Sequence, residues 1–213
     1  MGQWSKRFRT LLQKKKEYSL HITGAFCAAN FLLGTGKLLM GVYSGSVFTC
    51  VNAGYTYAMV AAKQCALQGM KAPAERQLRY YRGTAGILIL ASMLYAVYSL
   101  RLLWQPEAPR YHMYVAIGIA AFTFTEIGLN LWGALRERKK NILLHALKMV
   151  SLASSTIGLV LTQTAILSFT QESAGEELSR ENGAMGVLMG TAAALMGVWM
   201  LRWIGKKQRQ EEL

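Results

Sequence analysis

The stretch Thr84-Ala-Gly-Ile-Leu-Ile-Leu-Ala-Ser-Met-Leu-Tyr-Ala-Val-Tyr-Ser-Leu100 carries no charged side chain, and neither does Met185–Leu201. A helix on the surface of a water-soluble bundle shows a charged face on nearly every turn. Uninterrupted apolar runs of this length are the mark of a bilayer-spanning helix. Working outward, the same texture recurs in Leu20–Val42, Ser46–Ala62, Gly83–Leu100, Tyr111–Leu135, Ile142–Phe169 and Gly183–Ile204. Each is near the roughly 17 to 25 residues needed to cross hydrocarbon. The 53% of hydrophobic residues sit in these runs, and the mean hydropathy of +0.21 is held down by charged tails and connectors. The expected fold is all-α, a six-helix transmembrane bundle.

Charge orients that bundle. The chain has a formal net charge of +13, which in a soluble protein points to nucleic acid. Here the cations fall into four clusters: Lys6–Lys16 before the first run, Lys63–Arg82 between the second and third, Arg136–Lys140 between the fourth and fifth, and Lys206–Arg209 after the sixth. If every run crosses once, all four lie on one side. The opposite side holds only Tyr43–Gly45, Gln105–Arg110 and the glutamate-rich Gln171–Asn182. Short loops rich in Lys and Arg stay in the cytoplasm, so both termini are expected there, in a multi-pass protein of the plasma (cytoplasmic) membrane. The basic ends face anionic headgroups, where each Lys or Arg is worth about 1 kcal/mol. No aromatic-studded basic module is left over, and no nucleic-acid partner is expected. The expected organisation is a basic N-terminal segment over 1–17, a membrane domain over 18–204 and a short tail over 205–213. The first run is too long for a signal peptide and lacks a small-x-small cleavage site, so it is read as retained.

Cys27, Cys50 and Cys65 show no C-x-x-C spacing, and buried free thiols are expected. His21, His112 and His145 are scattered near predicted membrane boundaries. With no histidine–carboxylate cluster or nucleophile elbow at a common depth, no catalytic constellation, metal site or cofactor is expected. Pro73, Pro106 and Pro109 all fall in connectors. Glycine is frequent within the spans instead. Gly186-x-x-x-Gly190 permits close helix approach, either inside the chain or in a homodimer. Trp104, Trp132, Tyr43, Tyr111 and Tyr114 lie at span ends, as an interfacial aromatic belt requires.

An ionisable group inside hydrocarbon costs at least about 2.5 kcal/mol at mid-helix, so one that persists lines a path or finds a partner. Lys37, Glu126 and Lys148 qualify. Glu126 precedes Arg136 by ten residues and Lys148 follows Lys140 by eight. At about 1.5 Å per residue both stand at a similar height above the basic end, which predicts an ion pair between them, either proton-exchanging or simply holding helices together. Asn130, one turn from Glu126, belongs to the same network. Lys37 matches the depth of Asn52, and one reading has it snorkelling to the outer headgroups. Asn52, Tyr55 and Met59 share a helix face that either lines a cavity or packs.

The passage Asn30-Phe-Leu-Leu-Gly-Thr-Gly-Lys37-Leu-Leu-Met-Gly41-Val-Tyr-Ser44-Gly45-Ser46 resembles the first hairpin of the cation diffusion facilitator, or cation efflux, transporters. There a helix with Lys and Gly turns through Ser-Gly-Ser into a second helix bearing metal ligands. The resemblance places Asn52, Tyr55 and Met59 at the ligand positions, and two of those three residue types depart from the family's His and Asp. Gln105-Pro-Glu-Ala-Pro109 and Arg138-Lys-Lys-Asn141 are similar to the family's later connectors. Its fifth-helix ligand positions fall on Lys148 and Leu152, with His145 at a further acidic position. The family's cytoplasmic ferredoxin-like domain is not expected after the sixth run. The resemblance implies a transporter of the cation-efflux type, moving a small solute or cation by alternating access through a non-zinc central site. Asn52, Tyr55, Glu126 and Lys148 would then serve the path or coupling, and Lys37 and Asn130 a helix network. The other class is a non-transporting membrane scaffold or partner-binding protein on the same fold. A tetrahedral zinc site is incompatible with an ammonium among its ligands. Zinc titration of the purified protein is therefore expected to give no stoichiometric submicromolar site that Lys148→Ala abolishes.

Overall fold

The structure is a computed structural model and describes residues 27–105, 113–136, 142–170 and 175–211. Among them all regular structure is helical: α1 over 27–43, α2 Val47–Lys71, α3 Ala74–Trp104, α4 Met113–Arg136, α5 Ile142–Thr170 and α6 Gly175–Glu211. The N-terminal segment 1–17, the loop 106–112 with Tyr111, the basic turn 137–141, and His21 and His112 lie outside the described residues.

The α1–α2 turn is built by local chemistry. Gly45 takes a left-handed φ of +64°, which costs glycine no Cβ clash. The Gly45 N–H donates to the Val42 carbonyl at 3.2 Å, and the Ser46 N–H to that of Gly41 at 2.9 Å. Together these form the Schellman closure of α1. Ser46 then caps α2, its Oγ accepting from the Thr49 N–H at 3.2 Å. Helix end and helix start thus share three residues.

Two predicted connectors are shorter than expected. The basic stretch between the second and third runs is almost entirely helix, because α2 continues to Lys71 and α3 begins at Ala74. Pro73 breaks the helix, holding an extended ψ of 151°. The acidic stretch Gln171–Asn182 is likewise helical from Gly175. At its far end α6 runs through the expected tail as far as Glu211. There Arg82 Nη2 donates to Gln208 Oε1 at 2.9 Å, joining α3 to α6.

Helix α5 is the axis of the bundle, packing on α2, α3, α4 and α6. Half of its most apolar window is buried, against 28% for the other three spans of comparable hydropathy. The tightest seam joins α3 and α6, where Gly186 faces Ser99, Gly190 faces the Ala96 backbone and Gly197 faces Ile89. The small-residue face of α6 is therefore occupied within the chain. Helix α1 lies against α2 and α4, with Gly34 on Thr56 and Tyr57, Gly36 on the Phe122 ring, and Met40 over Gly118. Leu90, Leu94, Val97, Leu188 and Leu195 point outward and are 59–64% exposed, an inside-out distribution suited to lipid.

Four helices are long and apolar enough to cross a bilayer: Ala74–Trp104, Tyr114–Trp132, Ile142–Ile166 and Ser179–Lys206. The described part of α1 and the whole of α2 fall short of that measure. In α2 the reason is compositional. Thr49, Asn52, Tyr55, Thr56 and Lys63 interrupt its apolar sequence, and all five are buried. The polarity of α2 is turned toward the protein.

The α3–α6 seam permits a direct test. A Cβ at Gly190 would meet Ala96 backbone atoms at 3.2 Å, which cannot move aside as a flexible side chain would. Gly190→Leu is expected to lower stability by about 1–3 kcal/mol through overpacking, read as a lower unfolding midpoint in detergent, whereas Gly86→Ala, with open space at its Cβ, should leave the midpoint unchanged.

Candidate functional site

The polar side chains that dilute the hydropathy of α1 and α2 meet those of α4 and α5 in one place. Lys37 on α1 is 1% exposed and Glu126 on α4 is 1% exposed. The Lys37 ammonium forms a salt bridge to Glu126 Oε2. It also donates to Asn52 Oδ1 at 3.4 Å and Thr56 Oγ1 at 3.5 Å, both on α2. Three acceptors thus match the three donors of the ammonium. The second carboxylate oxygen, Oε1, accepts from Ser154 Oγ on α5 at 2.8 Å. One carboxylate therefore binds α1 to α5, and through Lys37 to α2.

One turn from Glu126 lies Asn130, whose Oδ1 accepts from Lys63 Nζ at 2.6 Å and from Asn30 Nδ2 at 3.2 Å. The ammonium can only donate, so it fixes which end of the Asn130 amide faces it. The orientation of Asn30 follows from that of Asn130. This leaves Asn130 Nδ2 and Asn30 Oδ1 buried, with no partner among the described residues.

On the acidic side the polar groups continue. The Tyr95 hydroxyl on α3 faces Asn52 and Ser99 but meets hydrogen-bond geometry with neither. Asn52 Nδ2, Tyr95 Oη, Ser99 Oγ and both amide atoms of Asn182 are buried without partners among the described residues. Asn182 lies one turn before Gly186, which packs on Ser99. Buried polar groups are normally paired. Unpaired ones adjoin one another at Ser99, Tyr95 and Asn52, and Asn52 in turn accepts from Lys37.

Several sequence expectations are met by position and others are revised. Asn52, Lys37, Glu126 and Asn130 converge in this network. Lys37 does not snorkel; Glu126, Asn52 and Thr56 hold it in the interior. Glu126 does not pair with Lys148, which lies half-buried on α5. The cause is azimuthal, since matched depth leaves open which helix faces which. Tyr55 bonds outside the network, its hydroxyl 3.3 Å from Ser92 Oγ and its ring against Tyr95 at 5.5 Å. It lines an apolar cleft of about 420 Å³ between α2 and α3, bordered by Leu90 and Leu94. Met59 is in the apolar core.

Lys63, Asn30, Thr56 and Ser154 are the residues that sequence reading does not assign to the network. The sequence groups Lys63 with the basic connector, yet it is 4% exposed. The available signal was its spacing: eleven residues after Asn52, about three helical turns, which returns it to the same face.

His145 and Lys148 belong to a different feature at the basic end. The His145 ring stacks on Trp203 at 4.6 Å and lies 5.5 Å from Trp199. Its Nδ1 is 3.1 Å from the Tyr81 hydroxyl. This aromatic cluster joins α3, α5 and α6. Cys27, Cys50 and Cys65 are free thiols, and the described residues include no group of three or more His, Cys, Asp or Glu able to hold a metal ion.

Comparison with protein-family models and with curated proteins finds no match to this chain.

Removing one partner of a buried pair strands the other. Lys37→Ala is expected to destabilise the protein by about 3–5 kcal/mol, and the apolar double replacement Lys37→Met with Glu126→Leu to recover most of that loss. Denaturant unfolding of the purified variants checks both.

Proposed function

We propose that the chain is a six-span carrier with both termini cytoplasmic, seated in the plasma (cytoplasmic) membrane. In this reading it moves a small solute or ion by alternating access and couples that movement to protons at Glu126. The observation that carries the reading is one buried carboxylate, Glu126 of α4, held by the Lys37 ammonium of α1 and the Ser154 hydroxyl of α5, one turn from Asn130, which takes the Lys63 ammonium of α2. Ionisable groups at membrane depth are retained mainly where charge or solute must pass. Protonation of Glu126 would remove its charge and weaken its hold on Lys37. The α1–α2 hairpin would then be free to shift against α4 and α5, and deprotonation would restore the clamp.

The four apolar helices support the membrane setting. The buried polarity of α2 and the tight turn joining it to α1 support counting that hairpin as two further crossings. The basic ends of α2, α4 and α6 support the cytoplasmic assignment. In the cation-efflux comparison Asn52 holds a ligand position, and here its oxygen receives the Lys37 ammonium. That contact supports a built-in cation in place of a metal ion. Protons would reach Glu126 from the side of Ser99, Tyr95 and Asn52.

A second reading, a non-transporting scaffold, is favoured by the α2–α5 seam. Met59, Ala62 and Ala66 join Leu147, Val150 and Ala153 there in a dry apolar cluster. Flux separates the two readings. In liposomes carrying an internal pH dye, a transported solute should drive proton movement in the native chain and at least about tenfold less in Glu126→Gln; equal proton-coupled flux in both proteins, for every solute tested, would leave Glu126 without a coupling role.

A further inference from the structure

Lys37 and Lys63 are chemically unlike although both are buried lysines. Lys37 has three acceptors, one of them a carboxylate. Lys63 has a single hydrogen-bonded acceptor among the described residues, the neutral Asn130 Oδ1. The titratable groups that act on it are Glu126, already paired with Lys37, and the buried Cys27 thiol. As ammoniums, two cations face one carboxylate, so the network carries one positive charge without a counter-charge. In low dielectric such an imbalance is costly.

Beside that cation stands the unpartnered Asn130 Nδ2, an amide donor stranded because Lys63 claims the oxygen end. Lys63 and Asn130 therefore present a cation with two spare N–H groups and a neighbouring N–H donor pair. The complement of such a set is a compact anion with two or more acceptor oxygens.

We propose that Lys63 and Asn130 bind a single carboxylate group at the basic end of the network. One carboxylate oxygen accepts from the Lys63 ammonium and the other from Asn130 Nδ2, balancing the charge to two cations and two carboxylates. The proposal rests on the carrier reading only where it makes small carboxylic acids the solute; the binding site itself stands without transport. Lys63 lies eight residues, about 12 Å of helix, from the basic end of α2. Arg76 and Arg79 near that end raise the local concentration of anions.

Acetate is the water-borne probe and decanoate the lipid-borne one, titrated calorimetrically into the full chain in nanodiscs at constant ionic strength in chloride. Saturable binding of either is expected, weakened at least about tenfold, one charge-assisted hydrogen bond's worth, in Lys63→Met and in Asn130→Ala. The exposed Arg202→Gln should bind as the native chain does. Acetate binding identifies a soluble acid as the source, and decanoate binding alone an acid reached from the bilayer. Absence of saturable binding for both probes, or native affinity in both Lys63→Met and Asn130→Ala, would overturn the proposal. If Lys63→Met does not fold, Asn130→Ala together with Lys63→Arg, expected to keep the affinity within about threefold by retaining the charge, carries the test. Binding without any acetate flux in liposomes would uphold the site and count against the carrier reading alone.

Discussion

The Lys37–Glu126 ion pair is the constraint on which the interior of this bundle depends. An ammonium and a carboxylate withdrawn from water are tolerable only if each finds the other and the remaining hydrogen-bonding capacity is met. Asn52 and Thr56 meet that requirement for Lys37, and Ser154 helps meet it for Glu126. Those partners come from three more positions in the bundle, so the need to satisfy one pair fixes how α1, α2, α4 and α5 are rotated about their axes. Apolar packing alone tolerates many such rotations, since lipid is as apolar as the helix faces.

A division of labour follows. The α3–α6 seam is closed by Gly186, Gly190 and Gly197 packed on Ser99, Ala96 and Ile89. The α1–α2 hairpin is joined to α4 and α5 by the charged network as well as by the apolar packing of Met59, Ala62 and Ala66. It is also the part with the lower hydropathy, because its polar residues face inward. Close backbone packing and buried charge are therefore in different parts of the same bundle. The two parts meet at Tyr95 and Asn52, where unpaired groups on α3 adjoin the charged network.

The same economy accounts for the asymmetry between the two lysines. A lysine has no acceptor, so each one introduced into the interior forces nearby amides to present oxygen. Lys63 turns Asn130, Asn130 turns Asn30, and the amide ends left over are unpartnered. Polar networks in low dielectric are strong when complete and expensive when not. The incompleteness here is concentrated beside Lys63 and around Tyr95 and Asn52.

Much of this protein was legible in the linear chain. The charge-free runs determine helices at membrane depth, because unpaired backbone in hydrocarbon allows little else. Ser44-Gly45-Ser46 determines a tight turn, through one residue in the left-handed region and one capping hydroxyl. The identity of the intramembrane charges was also readable, since Lys37 and Glu126 stand out in any apolar stretch. Their pairing was not. Depth along a helix is a function of residue number and can be computed from it, whereas azimuth and neighbour depend on how side chains from distant segments pack. That is why Lys148 matched Glu126 in height but lies elsewhere, and why Lys63, counted among connector cations, turned out to be interior. Sequence by itself set the solvent and the helices of this protein; only the tertiary structure decided which charges meet, because pairing is a property of helix rotation that no single segment encodes.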